Sequence, residues 1–89
     1  MPESRPAPLL ALVVPCYNEE ETLPATIAAL ADLLADCKQQ GIIRPESFVC
    51  YVDDGSRDAT WEILARRHAV DSCCRAIKFA ANAGHQNAV

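Results

Sequence analysis

Phe48-Val49-Cys50-Tyr51-Val52-Asp53-Asp54-Gly55-Ser56 is the stretch from which the fold is read. Aromatic and β-branched residues run without a polar break, the pattern of a strand buried on both faces of a parallel sheet. Asp-Asp-Gly-Ser is turn chemistry, so the strand stops there. Its carboxyl end then opens onto a crevice, the edge where open α/β sheets bind ligands. Two adjacent carboxylates repel and call for water, a cation or hydrogen-bond donors. The plainer alternative is that Asp53 and Asp54 only form the turn and cap the next helix.

Upstream, residues 9–14 (Leu-Leu-Ala-Leu-Val-Val) form an apolar run ended by Pro15, a first buried strand. A polar, acidic loop follows, Cys16-Tyr17-Asn18-Glu19-Glu20-Glu21-Thr22. With Thr22 as N-cap, Pro24 falls in the first turn of a helix, where its missing N–H is harmless. Leu23, Ile27, Leu30 and Leu34 share one face of that helix, and Gln40-Gly41 ends it. Residues 42–46 connect it to the opening stretch, with Pro45 just ahead of the strand.

Downstream, Ser56 or Asp58 caps a second helix over residues 59–69, with Trp61, Leu64, Ala65 and His68 as its inward stripe. Residues 73–79 make a third strand, interrupted by Arg75 and Lys78. Residues 80–89 read as a turn and the first residues of another helix, too short to cover a sheet, so the chain reads as the first half of a domain. Residues 1–8, with Pro2, Pro6 and Pro8, read as a disordered lead-in.

The order over residues 9–89 is therefore β-α-β-α-β. Short connections and right-handed crossovers predict an α/β fold, three-layer α/β/α, with a parallel Rossmann-like sheet. The first strand would lie inside a larger sheet, and the exposed edge of the third would offer a route to self-association.

The 89 residues, 51% hydrophobic and 22% charged, describe one globular unit at most. A formal charge of −4 with no basic patch argues against a nucleic-acid partner. Residues 1–8 lack the apolar core of a signal peptide, and no run approaches the roughly 20 apolar residues of a membrane span. The five cysteines (Cys16, Cys37, Cys50, Cys73, Cys74) show no C-x-x-C spacing, and neither His68 nor His85 completes a zinc set. They read as reduced thiols used as small hydrophobes, Cys50 as a core residue.

The loops after the three strands should share one edge. None carries G-x-G-x-x-G or a P-loop, so glycine cradling of phosphate is not expected. They offer Tyr17, Asn18, Glu19 and the acidic pair, a set suited to a nucleoside. A phenol can stack on a base, and a carboxylate can accept from base N–H or ribose hydroxyls, each charge-assisted bond contributing roughly 1.5–3 kcal/mol.

Val13-Val14-Pro15-Cys16-Tyr17-Asn18-Glu19-Glu20, Val52-Asp53-Asp54-Gly55-Ser56 and Asn82-Ala83-Gly84-His85-Gln86-Asn87-Ala88, in this order, resemble the family 2 glycosyltransferases. The likeness covers residues 9–89 and is closest to the bacterial branch similar to dolichol-phosphate mannose synthase and undecaprenyl-phosphate glycosyltransferases. It implies the N-terminal half of a GT-A nucleotide-sugar-binding domain. Pro15, Tyr17 and Glu19, with Asn18 beside them, would line the nucleoside pocket. Asp54 would contact base or ribose, Asp53 beside it would shape the turn and its charge, Ser56 would belong to the same donor-binding set, and Asn82 and Gly84 would form the third wall.

The resemblance further implies an inverting transfer of a hexose from a UDP- or GDP-sugar to a polyprenyl phosphate at the cytoplasmic, inner face of a membrane. A Mg or Mn ion is expected in the full-length enzyme, held by a D-x-D beyond Val89. The 89-residue chain alone should bind no metal and be catalytically incompetent. Two competing readings are a receiver- or flavodoxin-like signalling module, whose paired acids hold Mg²⁺, and a non-catalytic remnant.

Overall fold

The structure, a computed structural model, describes residues 6–79. The elements run β1 (Ala11–Cys16), α1 (Leu23–Gln39), β2 (Phe48–Asp53), α2 (Thr60–Val70) and β3 (Cys74–Lys78). The three strands are parallel in the order β1-β2-β3. This is the expected α/β open sheet, the Rossmann-like half. The helix start expected after residue 80, with Asn82 and Gly84, lies outside the described residues.

The core comes from the stripes seen in sequence. Leu23, Ile27 and Leu34 of α1 pack with Val49 and Tyr51 of β2, Leu64 of α2 and Cys74 of β3. Leu30 is partly buried against them. Thr22 is the N-cap and Pro24 sits in the first turn, as expected. At the other end Gly41 takes φ +76, with Gly41 N–H to Lys38 O and Ile42 N–H to Cys37 O, both 3.0 Å. That paired closure satisfies two of the last carbonyls and needs the left-handed residue that glycine supplies.

Three expectations are corrected. First, β1 reaches Cys16 and contains Pro15, opposite Val52. The carbonyls of Leu10 and Cys16 accept from β2, so even-numbered residues of this strand face the partner and Pro15 faces away. Among the described residues β1 pairs on one side only, so its proline costs no ladder bond.

Second, among the described residues β2 is covered by helices on one face only. Strand order and right-handed crossovers put both helices over one face. There Val49, Tyr51 and Asp53 are buried, whereas Phe48, Cys50 and Val52 are only half-buried. On that other face Val13 and Ile77 are exposed, and the Arg75 guanidinium lies 3.8 Å from the Phe48 ring centre. The described residues thus supply two layers, sheet and helices, and Cys50 lies outside the core; Cys16 and Cys74 are the buried thiols.

Third, the inward stripe of α2 is Thr60, Trp61, Ile63, Leu64 and Arg67, while Ala65 and His68 are exposed. Packing on the sheet sets this phase, with Trp61, Ile63 and Leu64 against the core, while Ile63 and Arg67 also share a groove with Ile27 of α1.

Candidate functional site

The carboxyl ends of β1 and β2 lie side by side, Cys16 opposite Asp53, and the Asp54 N–H extends the ladder to Cys16 O at 2.9 Å. The loops that follow, residues 17–22 and 54–59, therefore leave the sheet together. The pleat sends consecutive side chains to opposite faces. Asp53 turns into the helix-covered face and is fully buried, and Asp54 stays exposed. The acidic pair diverges, so it forms no joint carboxylate site of the receiver kind.

Asp53 builds the turn. Its Oδ1 accepts the Ser56 N–H at 3.1 Å, and Gly55 between them has φ +81, a conformation suited to glycine. Asp53 Oδ2 is buried with no hydrogen-bond partner.

The two loops are stitched together across the groove between the strands. Asn18 N–H donates to Ser56 Oγ at 2.8 Å, and Arg57 N–H donates to Asn18 Oδ1 at 2.8 Å. Glu19 N–H donates to Thr60 Oγ1 at 2.8 Å, Glu20 N–H to Asp58 Oδ2 at 3.2 Å, and Ala59 N–H to Glu20 Oε1 at 2.8 Å. Asp58 Oδ1 also accepts the Thr60 N–H and hydroxyl, at 2.9 and 2.6 Å. Neither expected residue is the N-cap of α2, which is Ala59 with no side-chain cap bond: Asp58, one residue earlier, accepts the Thr60 N–H, and Ser56 turns to Asn18.

Glu20 and Thr60 were not singled out in the sequence, and Asp58 only as a helix cap. Short oxygen-bearing side chains between a strand and a helix were the available signal, since such residues bond to nearby backbone N–H groups. Their partners, roughly forty residues away, leave no local trace.

What the stitching leaves free is specific. Tyr17 is 53% exposed, Glu19 half-buried and Asp54 exposed, and none spends its side chain on a hydrogen bond to another described residue. Pro15 is exposed at the same edge. The structure thus brings Pro15, Tyr17, Asn18, Glu19, Asp53, Asp54 and Ser56 to one end of the sheet, with Asn18, Asp53 and Ser56 engaged in holding the loops.

The electrostatics follow the burial. Burial, then Glu19 and Asp53, pushes the Cys16 thiol up to about 11, so it is neither a nucleophile nor a ready metal ligand. Desolvation pushes the Asp58 carboxyl up, but the bonds from Thr60 and Glu20 outweigh it and leave it below the ordinary 3.8. A hollow lined by Asn18, Glu19, Glu20, Glu21, Thr22 and Asp58 flanks the stitches and offers almost only acceptors. Among the described residues, no three potential ligands converge on a metal position.

Comparison with known proteins agrees with this architecture. Residues 11–89 match the model of the family described as glycosyl transferase family 2. An uncharacterized glycosyltransferase of Bacillus subtilis, YkoT, is 38% identical over 82 residues, 92% of this chain and 24% of that protein. An undecaprenyl-phosphate 4-deoxy-4-formamido-L-arabinose transferase of Pseudomonas fluorescens is 36% identical over 88 residues, 96% of this chain and 24% of that protein. The same-named transferase of Serratia proteamaculans is 33% identical over 90 residues and is covered to 26%. No solved structure gives a significant match. The chain spans about a quarter of the length of these curated relatives. With the family match spanning nearly all of it, the chain belongs to the family 2 glycosyltransferases.

Proposed function

We propose that this chain is the donor-binding part of a transferase that moves a hexose from a UDP- or GDP-sugar to a polyprenyl phosphate. One observation carries the reading: stitching the two loops consumes Asn18, Ser56, Glu20 and Asp58 and leaves Tyr17, Glu19 and Asp54 at the sheet edge. The Tyr17 ring stacks on the base. Asp54 and Glu19 accept from base N–H or ribose hydroxyls, and Pro15 closes the side of the pocket. Asn82 and Gly84, outside the described residues, belong to the same donor site in this reading. Relatives named as undecaprenyl-phosphate transferases support the acceptor class.

A lipid phosphate is already an anion, so as acceptor it needs little help from a general base in an inverting displacement. A Mg or Mn ion belongs to the whole protein in this reading. The described residues do not converge on one, and no step here runs through it. No helix among the described residues is long and apolar enough to cross a membrane, so work at the inner face of a membrane rests on the acceptor class alone.

Calorimetric titration of the chain with UDP and GDP tests the reading. One of them is expected to bind, with Tyr17→Ala and Asp54→Asn each weakening it by about tenfold, the loss of one charge-assisted or stacking contact. Absence of binding by either nucleotide, or variants that bind like the parent, would overturn it. The chain alone is expected to transfer no sugar.

A further inference from the structure

Asn18 has φ +51, the only positive value at a non-glycine residue among those described. An L-residue in this region is disfavoured by about 1–2 kcal/mol, least for Asn and Asp, so something must hold it there. The holding groups are all visible. Asn18 is bonded in both directions to the second loop, through its N–H to Ser56 Oγ and through its Oδ1 to the Arg57 N–H. Ser56 is fixed in turn by its own N–H on the wholly buried Asp53 carboxylate. A chain of hydrogen bonds therefore runs from the sheet interior, through Ser56, to the backbone reversal at Asn18. Tyr17 and Glu19 flank that reversal directly, and Asp54 lies two residues before Ser56.

We propose that Asn18 and Ser56 are positioning residues of the donor site, two halves of one clasp that fixes Tyr17 and Glu19 relative to Asp54. This rests on the donor-binding reading above. With the clasp open, Asn18 has no reason to keep its left-handed backbone, and relaxation at that residue swings the side chains on either side of it. The clasp acts on affinity by preorganisation: a closed pair of loops gives up no ordering entropy when the ligand arrives. Of the neighbouring bonds, that from the Glu19 N–H to Thr60 Oγ1 is a second hold on Glu19 itself, and those through Asp58 and Glu20 anchor the loops farther from Tyr17.

The test is titration of the full 89-residue chain with UDP and GDP, paired with thermal unfolding of each variant. Ser56→Ala and Asn18→Gly are each expected to weaken the preferred nucleotide by about tenfold. Gly keeps access to the left-handed backbone but lacks the Oδ1 acceptor. The double variant is expected to lose the same tenfold rather than the product, because each change opens the same clasp. Ser56→Thr keeps the hydroxyl and stays within about twofold. Asn18→Asp keeps Oδ1 and is compared with the parent at about 1 M salt, where its added charge is screened beyond roughly 3 Å. It too should stay within about twofold.

Independent, multiplying losses would overturn the proposal, as would unchanged affinity in Ser56→Ala and Asn18→Gly. A tenfold loss in Asn18→Asp would instead make the Asn18 amide a direct ligand contact. If the parent binds neither nucleotide, the donor reading fails and amide hydrogen exchange decides the clasp separately. Ser56→Ala should then speed exchange at Asn18 and Arg57, the two amides bonded in the clasp, together, and faster exchange at Asn18 alone would sink it.

Discussion

Asp53 and Asp54 show how far one peptide unit can separate two identical side chains. Asp53 holds the Ser56 N–H inside the molecule, and Asp54 faces water. Asp53→Ala removes that acceptor and should destabilise the fold by about 1–3 kcal/mol in urea titrations. Asp54→Ala should stay within about 0.5 kcal/mol of the parent. Gly55, at φ +81, should resist substitution, with Gly55→Ala costing about 1–2 kcal/mol in the same assay. The doublet was legible as a strand end and turn, because residue types alone carry that signal. Its division into a structural and an exposed acid was not, because that depends on strand register.

Asp58 makes the acid behaviour of the loops predictable. Its folded carboxyl sits below the ordinary 3.8, so its ionised form is the one the hydrogen bonds favour. The stability it contributes is complete above the unfolded value and is lost as pH falls through the folded one. Urea midpoints of the parent and Asp58→Asn, compared from about pH 5 down to about pH 2, should therefore converge at the acid end. A gap that persists there would assign the stabilisation to packing. Cys16 runs the other way. Its raised value means that its contribution is intact below the ordinary 9.0 and fades as pH rises toward about 11.

Among the elements, α1 and α2 do the covering, and their apolar spacing made them legible before any coordinates. Leu64 is fully buried, so Leu64→Ala should cost about 2–5 kcal/mol, whereas Leu33→Ala, on a residue 53% exposed, should cost under about 1 kcal/mol. The exact inward stripe of α2 was not legible. Ile63 and Arg67 replace Ala65 and His68 because the surfaces the helix packs on, the sheet first and then α1, set its rotation rather than its own pattern. His68 is spent at the margin, its Nδ1 2.8 Å from Cys74 O. Pro15 misled for a related reason. A proline ends a strand only where its N–H would be needed, and in β1 that side is free among the described residues.

For the whole molecule, the deciding fact is that the groups closing the site lie 38 to 41 positions apart in the chain. Neither loop can hold its shape before β1 and β2 have paired. Melting the sheet therefore opens the site, whereas the clasp can open with the sheet intact. A nucleotide that binds there reports on the integrity of the entire fold. At a free concentration a hundred times its dissociation constant it should raise the unfolding free energy by about 2.7 kcal/mol. In the donor-binding reading proposed above, the ligand would then serve as a reversible crosslink between distant parts of the chain, stabilising the protein against heat and proteases.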